Sequence, residues 1–284
     1  MQKTFSEIFE IKGIGLHSGL PSKMTFYPAD ANSGIVFVRA DLPNKPEFKA
    51  LYSQVVDTRN CTCLGNEKKE IVSTIEHIMA ALYVLGVDNA RIEVTNPETP
   101  IMDGSAKVFY DELKKVPLKE LSVKRKYLKV LQKVEFDDGK GAKVILEPSD
   151  KLHVHFIIDF PSKIVGHQEF DGDIESAVFA AKIAPARTFC EKYQVDYLRS
   201  IGLIKGGSLE NAVVLDGEKI LNEGGFRVEN EAVNHKVLDC IGDMYTSGYR
   251  LLANVTAEKS GHFHNNEVLK KLFADTHNYQ IVEE

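Results

Sequence analysis

His235 and Asp239 lie four residues apart, so on a helix an imidazole and a carboxylate project from one face, one turn from each other. Asp243 continues the same stripe, and in the other half of the chain His77 directly follows Glu76. If the two helices face each other, His77, His235 and Asp239 converge as three N/O ligands. With a fourth position open to water, that is the pattern of a catalytic zinc site. Such an ion lowers the pKa of bound water to about 7 and polarises a carbonyl. Glu76, beside a ligand, is placed to take a proton from water, as the glutamate of H-E-x-x-H enzymes does. Spacing alone leaves simpler readings open. Ser73-Thr74-Ile75-Glu76 has the form of a capping box. An isolated His-x-x-x-Asp is usually a surface ion pair worth about 0.3–0.5 kcal/mol. His77 alone also reads as a core histidine.

Other segments add polar chemistry. Ser260-Gly261-His262-Phe263-His264-Asn265 places two histidines in a loop that follows a strand, and Pro100-Ile101-Met102-Asp103-Gly104-Ser105 holds the equivalent place in the first half. In Lys205-Gly206-Gly207-Ser208 the glycines permit close backbone approach to a ligand. His153 and His155 fall on the polar side of an alternating strand, where a solvated face is expected, and eight β-α repeats of a metallohydrolase barrel are lacking. Cys61, Cys63, Cys190 and Cys240 show no zinc-type C-x-x-C spacing and read as free thiols.

The elements that must position these residues recur in two halves. In the first, a helix begins near Ser73 and stops at Gly86, with Ile75, Ile78, Met79 and Leu82 at helical spacing. A strand over Arg91–Thr95, a loop over 96–105 and a helix near Ala106–Lys115 follow. Periodicity fades around Pro117, which places a boundary near residue 122 and domains at 1–122 and 123–284. In the second half, Leu152–Phe160 alternates, Ala212–Asp216 and Lys219–Leu221 flank an Asp-Gly turn, and a helix spans Glu231–Thr246. A strand over Tyr249–Thr256, a loop over 257–265 and a helix over Glu267–Ala274 complete it. Each half thus ends helix, strand, loop, helix, which predicts an α+β fold built on a duplicated unit.

The 284 residues carry 35 Lys plus Arg against 41 Asp plus Glu, a net −6, so the chain lacks a general electrostatic grip on nucleic acid. No apolar run reaches the length of a spanning helix, and residues 1–13 contain no export-type apolar core. A cytoplasmic monomer is expected.

The sequence resembles the zinc-dependent UDP-3-O-acyl-N-acetylglucosamine deacetylases of lipid A biosynthesis. The motifs are Gly13–Gly19 (GIGLHSG), Ser73–His77 (STIEH), Pro100–Ser105, Ala186–Phe189 (ARTF), Gly206–Ser208, Asn234–Asp239 (NHKVLD) with Gly242-Asp243, and Ser260–His262. The resemblance implies two related β-α-α-β sandwich domains with the site between their helical layers. It implies hydrolysis of the N-acetyl group of UDP-3-O-(3-hydroxyacyl)-N-acetylglucosamine to acetate and the free amine. His77, His235 and Asp239 would hold Zn2+, with Fe2+ as the other metal such a set accepts. Glu76 would be the base, His262 the acid, Asp243 its orienting partner, Thr188 an oxyanion donor and Lys236 an electrostatic support. Phe160 and Lys259 would lie near the nucleotide, and Phe189, Gly207 and Asp103 would also contact substrate. Tyr193, Val195, Leu198, Ile201, Leu203 and Ile204 would line the acyl passage. Two alternatives remain: an inactive acyl-sugar-nucleotide binding protein, or a zinc amidase for another N-acetylated sugar.

Overall fold

A computed structural model describes residues 1–284. The first half builds a five-stranded sheet in the order Phe9–Ile14, Pro21–Tyr27, Ala90–Val94, Ile35–Arg39, Glu47–Lys49. Its central strand alternates as expected, with Ala90, Ile92 and Val94 buried and Arg91 and Glu93 half-buried. Helices α1 (Glu76–Leu85) and α2 (Lys107–Lys115) pack on each other.

The second half centres on the strand Arg250–Glu258, which pairs in parallel with Lys126–Val130 and Leu152–Asp159 and antiparallel with Lys143–Pro148. Seven strands form this sheet. Helices α5 (Glu231–Tyr245) and α6 (His262–Ala274) cover it, α5 against Leu152–Asp159 and α6 against Val134–Asp137. Before α5 in sequence come α3 (Ser176–Val178), continued by a π-helical stretch Phe179–Ile183, and α4 (Lys192–Ser200). The fold is α+β, and the order helix, strand, turn, helix recurs in each half.

The halves meet along α1 and α5, and one continuous apolar core runs through both. The contact is close because Gly242 has no side chain: a Cβ there would sit 2.1 Å from the Glu76 carbonyl oxygen. Within the first half, Lys3–Phe5 pairs antiparallel with Leu118–Glu120.

Three local expectations are corrected. The capping box does not form: α1 starts at Glu76, Ser73 Oγ donates to the Pro97 carbonyl at 3.2 Å, and the Glu76 carboxylate accepts the Thr62 N–H at 2.9 Å. Thr74 adopts a left-handed φ of 61°, which breaks the geometry a cap needs. The last helix begins five residues earlier than expected, at His262, because extended Gly261 supplies its N-terminal boundary. The glycine at 206 serves an approach between backbones: its N–H bonds the Leu16 carbonyl at 3.0 Å, and a Cβ would meet the Gly15 oxygen at 2.3 Å.

His153 and His155 lie on the outer face of their strand, paired with Asp171 and Asp173 and with Glu169 respectively. All four cysteines are free. No helix is long and apolar enough to cross a membrane.

Candidate metal centre and active site

His77 comes from the first turn of α1, and His235 and Asp239 come from successive turns of α5. Because these helices cross at Gly242, the three side chains converge, with one donor atom of each within 4.8 Å of the others. The Nε2 atoms of His77 and His235 face Asp239 Oδ1 at 3.7 and 3.4 Å. Two ligands of a tetrahedral ion, each about 2.0–2.1 Å from it, lie about 3.3 Å apart, so the spacing fits. Asp239 Oδ1 is buried with no hydrogen-bond donor, as an acceptor awaiting a cation would be. His235 Nδ1 lies 3.0 Å from the Ala186 carbonyl, which selects the tautomer that leaves Nε2 free.

Charge states agree with this donor set. Burial lowers His77 to about 3 and also lowers His235, which favours the neutral imidazoles that keep a lone pair for a cation. Burial alone would raise Asp239, but His235, Lys236, His262 and His77 together hold it below the usual carboxylate range. Two neutral nitrogens and an anion suit a divalent cation.

Two titratable groups flank the cluster. Glu76 is 3 % exposed, and burial raises it to about 7, with Asp239 and Asp243 adding to the rise and His262 opposing it. Burial would lower His262, but the charge and hydrogen bond of Asp243 outweigh it and push the imidazole up to about 9. His262 Nδ1 sits 2.8 Å from Asp243 Oδ2. Asp243 is itself anchored by the Thr62 hydroxyl at 2.5 Å and by Asn265 Nδ2 at 2.9 Å. A base poised near neutrality stands beside an acid that stays protonated above it.

These groups open into a cavity of about 730 Å3 whose wall includes Glu76, His77, Thr188, Lys236 and His262. Val195, Leu198, Ile204 and Val214 extend it as an apolar surface.

The sequence profile of the UDP-3-O-acyl N-acetylglycosamine deacetylases matches residues 2–274. The chain belongs to that family. Among curated proteins, one from Aliarcobacter butzleri is 40 % identical over 286 residues, covering 99 % of this chain and 93 % of the relative. One from Pasteurella multocida is 41 % identical with 99 % and 92 % covered, and one from Nautilia profundicola is 44 % identical with 96 % and 92 % covered. Each is named a UDP-3-O-acyl-N-acetylglucosamine deacetylase.

The other residues singled out by the family motifs take distinct places. Lys236 Nζ bonds Asp239 Oδ2 at 2.9 Å. Although burial opposes its charge, Asp239 raises its pKa. Thr188 stands on the cavity wall, held by its N–H to the Gly104 carbonyl and by its carbonyl to the Val213 N–H, both at 2.8 Å. Phe160 and Phe189 meet edge to face at 5.2 Å, and both line the cavity with Gly207. Lys259 lines it too and pairs with Asp159 at 3.0 Å. Asp103 is engaged by Arg227 across the seam at 2.5 Å. Of the six expected passage residues, Val195, Leu198 and Ile204 line the cavity. Tyr193, on the solvent face of α4, and Ile201, just past its end, are 71 % and 52 % exposed, and Leu203 does not line the cavity either.

Between His262 and His264 the fold distinguishes: His262 has the Asp243 partner, whereas His264 Nε2 faces Asp138 at 3.3 Å. The sequence by itself assigns no site role to Thr62, Asn265 or Glu231. Asn265 was findable, three residues after His262 and hence on its helix face. Thr62 reaches Asp243 across 181 positions, and no local signal announces that contact.

Proposed function

We propose that this protein hydrolyses the N-acetyl group of UDP-3-O-(3-hydroxyacyl)-N-acetylglucosamine to acetate and the free amine, as the zinc-dependent deacetylase of lipid A biosynthesis. The observation that carries this reading is one cavity that joins a His/His/Asp cluster, a buried carboxylate and a carboxylate-paired imidazole to an apolar wall. The family membership and the names of the relatives support it.

His77, His235 and Asp239 hold the ion. When bound, it polarises the acetyl carbonyl and lowers the pKa of water. Glu76, as carboxylate, accepts a proton from the attacking water. His262, as imidazolium, stabilises the developing negative charge and protonates the departing nitrogen, and Asp243 keeps it charged and oriented. The Thr188 hydroxyl donates to the tetrahedral oxyanion. The Lys236 ammonium balances Asp239 and the polyanionic substrate. Val195, Leu198 and Ile204 receive the acyl chain, while Phe160 and Lys259 face the nucleotide. Lys259 meets its diphosphate as a point charge. Asp103 shapes the substrate site through its ion pair with Arg227. The reaction is placed in the cytoplasm, in a monomer whose division near residue 122 separates the His77 domain from the His235 domain.

Acetate release from the acylated sugar nucleotide, measured with and without a metal chelator, tests the reading. Release that stops with chelation and returns with zinc is expected. Absence of chelator-sensitive release overturns it, and equal turnover of substrate without the acyl chain redirects it to a general acetyl-sugar amidase.

A further inference from the structure

Glu231 is the first residue of α5, buried and four positions before His235. Its carboxylate accepts four hydrogen bonds from the chain segments that flank the active site. Oε1 takes the Arg187 backbone N–H at 2.9 Å and Arg187 Nε at 2.8 Å. Oε2 takes Arg187 Nη2 at 3.1 Å and the Arg227 backbone N–H at 2.6 Å. All its acceptor sites are therefore used, at a helix N-terminus where negative charge is favoured.

The residues on either side of Arg187 are functional. The Ala186 carbonyl orients His235, and Thr188 stands on the cavity wall, tied through its N–H to Gly104 of the first half. Arg227 meanwhile carries its side chain to Asp103 of that same loop. One carboxylate thus clamps the strap 186–188 to the helix that bears two metal ligands and aligns it with the opposite half. A buried ion pair is a poor source of net stability, because desolvating both charges offsets their attraction. Four bonds aimed at one strap are a means of holding geometry.

We infer that Glu231 is a positioning residue, acting through Arg187 to hold the carbonyl acceptor of His235 and the hydroxyl of Thr188 in place. The inference rests on the metal-centre reading above. Its effect belongs to metal affinity and turnover, not only to folding.

The test compares Glu231→Gln and Glu231→Asp with Asp88→Asn in cobalt(II)-substituted protein. Asp88 makes a bidentate, less deeply buried pair with Arg125 beyond the C-terminal end of α1, away from the site. Thermal unfolding, cobalt affinity, the visible d–d spectrum and kcat against KM are measured in each. All three variants should unfold more easily. Only the Glu231 variants should bind cobalt roughly 10–100-fold more weakly, as loss of orienting partners does. They should also show an altered spectrum and lower kcat at little-changed KM. Glu231→Asp keeps the charge but shortens the reach, so it carries the test should Glu231→Gln fail to fold. Glu231 variants that lose stability like Asp88→Asn, with cobalt affinity, spectrum and kcat unchanged, overturn the inference. Wild type and Asp88→Asn that take up no cobalt instead overturn the metal-centre reading, and this inference with it.

Discussion

At the residue scale, the proposed function turns on two groups whose environments drive their proton affinities apart. Glu76 at about 7 must be ionised to act as base, and His262 at about 9 must be protonated to act as acid. A base works above its pKa and an acid below, so kcat/KM should rise through about pH 7 and fall beyond about pH 9. Asp243→Asn removes the charge and hydrogen bond that raise His262, so the alkaline limb should move to lower pH, with a smaller downward shift of the acid limb because Asp243 also helps raise Glu76. An alkaline limb unmoved by that substitution refutes the assignment of His262. Glu76→Gln keeps an oxygen for the Thr62 N–H but cannot take a proton. Turnover should drop roughly 10²–10⁴-fold while metal content by atomic absorption stays at the wild-type level. The base was legible from residue type and spacing, and the roles of His262 and Asp243 from the family resemblance. The supports were not: Thr62 is an ordinary threonine until folding brings it beneath Asp243.

At the element scale, the His77/His235/Asp239 cluster is a consequence of how closely α1 and α5 approach. Gly242 allows it, and an added methyl would press on the Glu76 backbone. Gly242→Ala should therefore cost about 1–3 kcal/mol of stability by overpacking. Because the clash lies between the residues that carry the ligands, metal affinity should fall with it, which thermal unfolding and metal titration measure together. A variant with wild-type metal affinity would show that the helices relax without moving the ligands. Periodicity located α5 nearly to the residue and the body of α1, since their apolar faces pack in one continuous core. It misjudged the ends. The start of α1 is set by Glu76 bonding Thr62 in place of a local cap, and the start of α6 by an extended glycine, both tertiary or backbone effects.

At the scale of the whole molecule, two halves close over one cavity, and ligand and acyl chain report on that closure. Removing the metal should abolish turnover and lower the thermal midpoint, because an ion bound only by the native state stabilises it by mass action. Zinc should restore both, as calorimetry and acetate release can follow. Shortening the acyl chain should reduce kcat/KM roughly fourfold per methylene for as long as the chain still reaches Val195, Leu198 and Ile204. By itself the sequence determined the α+β class, the helices carrying His77 and His235, and the donor types, because these follow from local spacing and period. Only the tertiary structure decided that the three donors meet, that His262 and not His264 faces Asp243, which face of α4 lines the cavity, and that Glu231 grips the strap beside Thr188. Those outcomes depend on contacts between residues far apart in the chain, whose geometry and burial exist only once the two halves have packed.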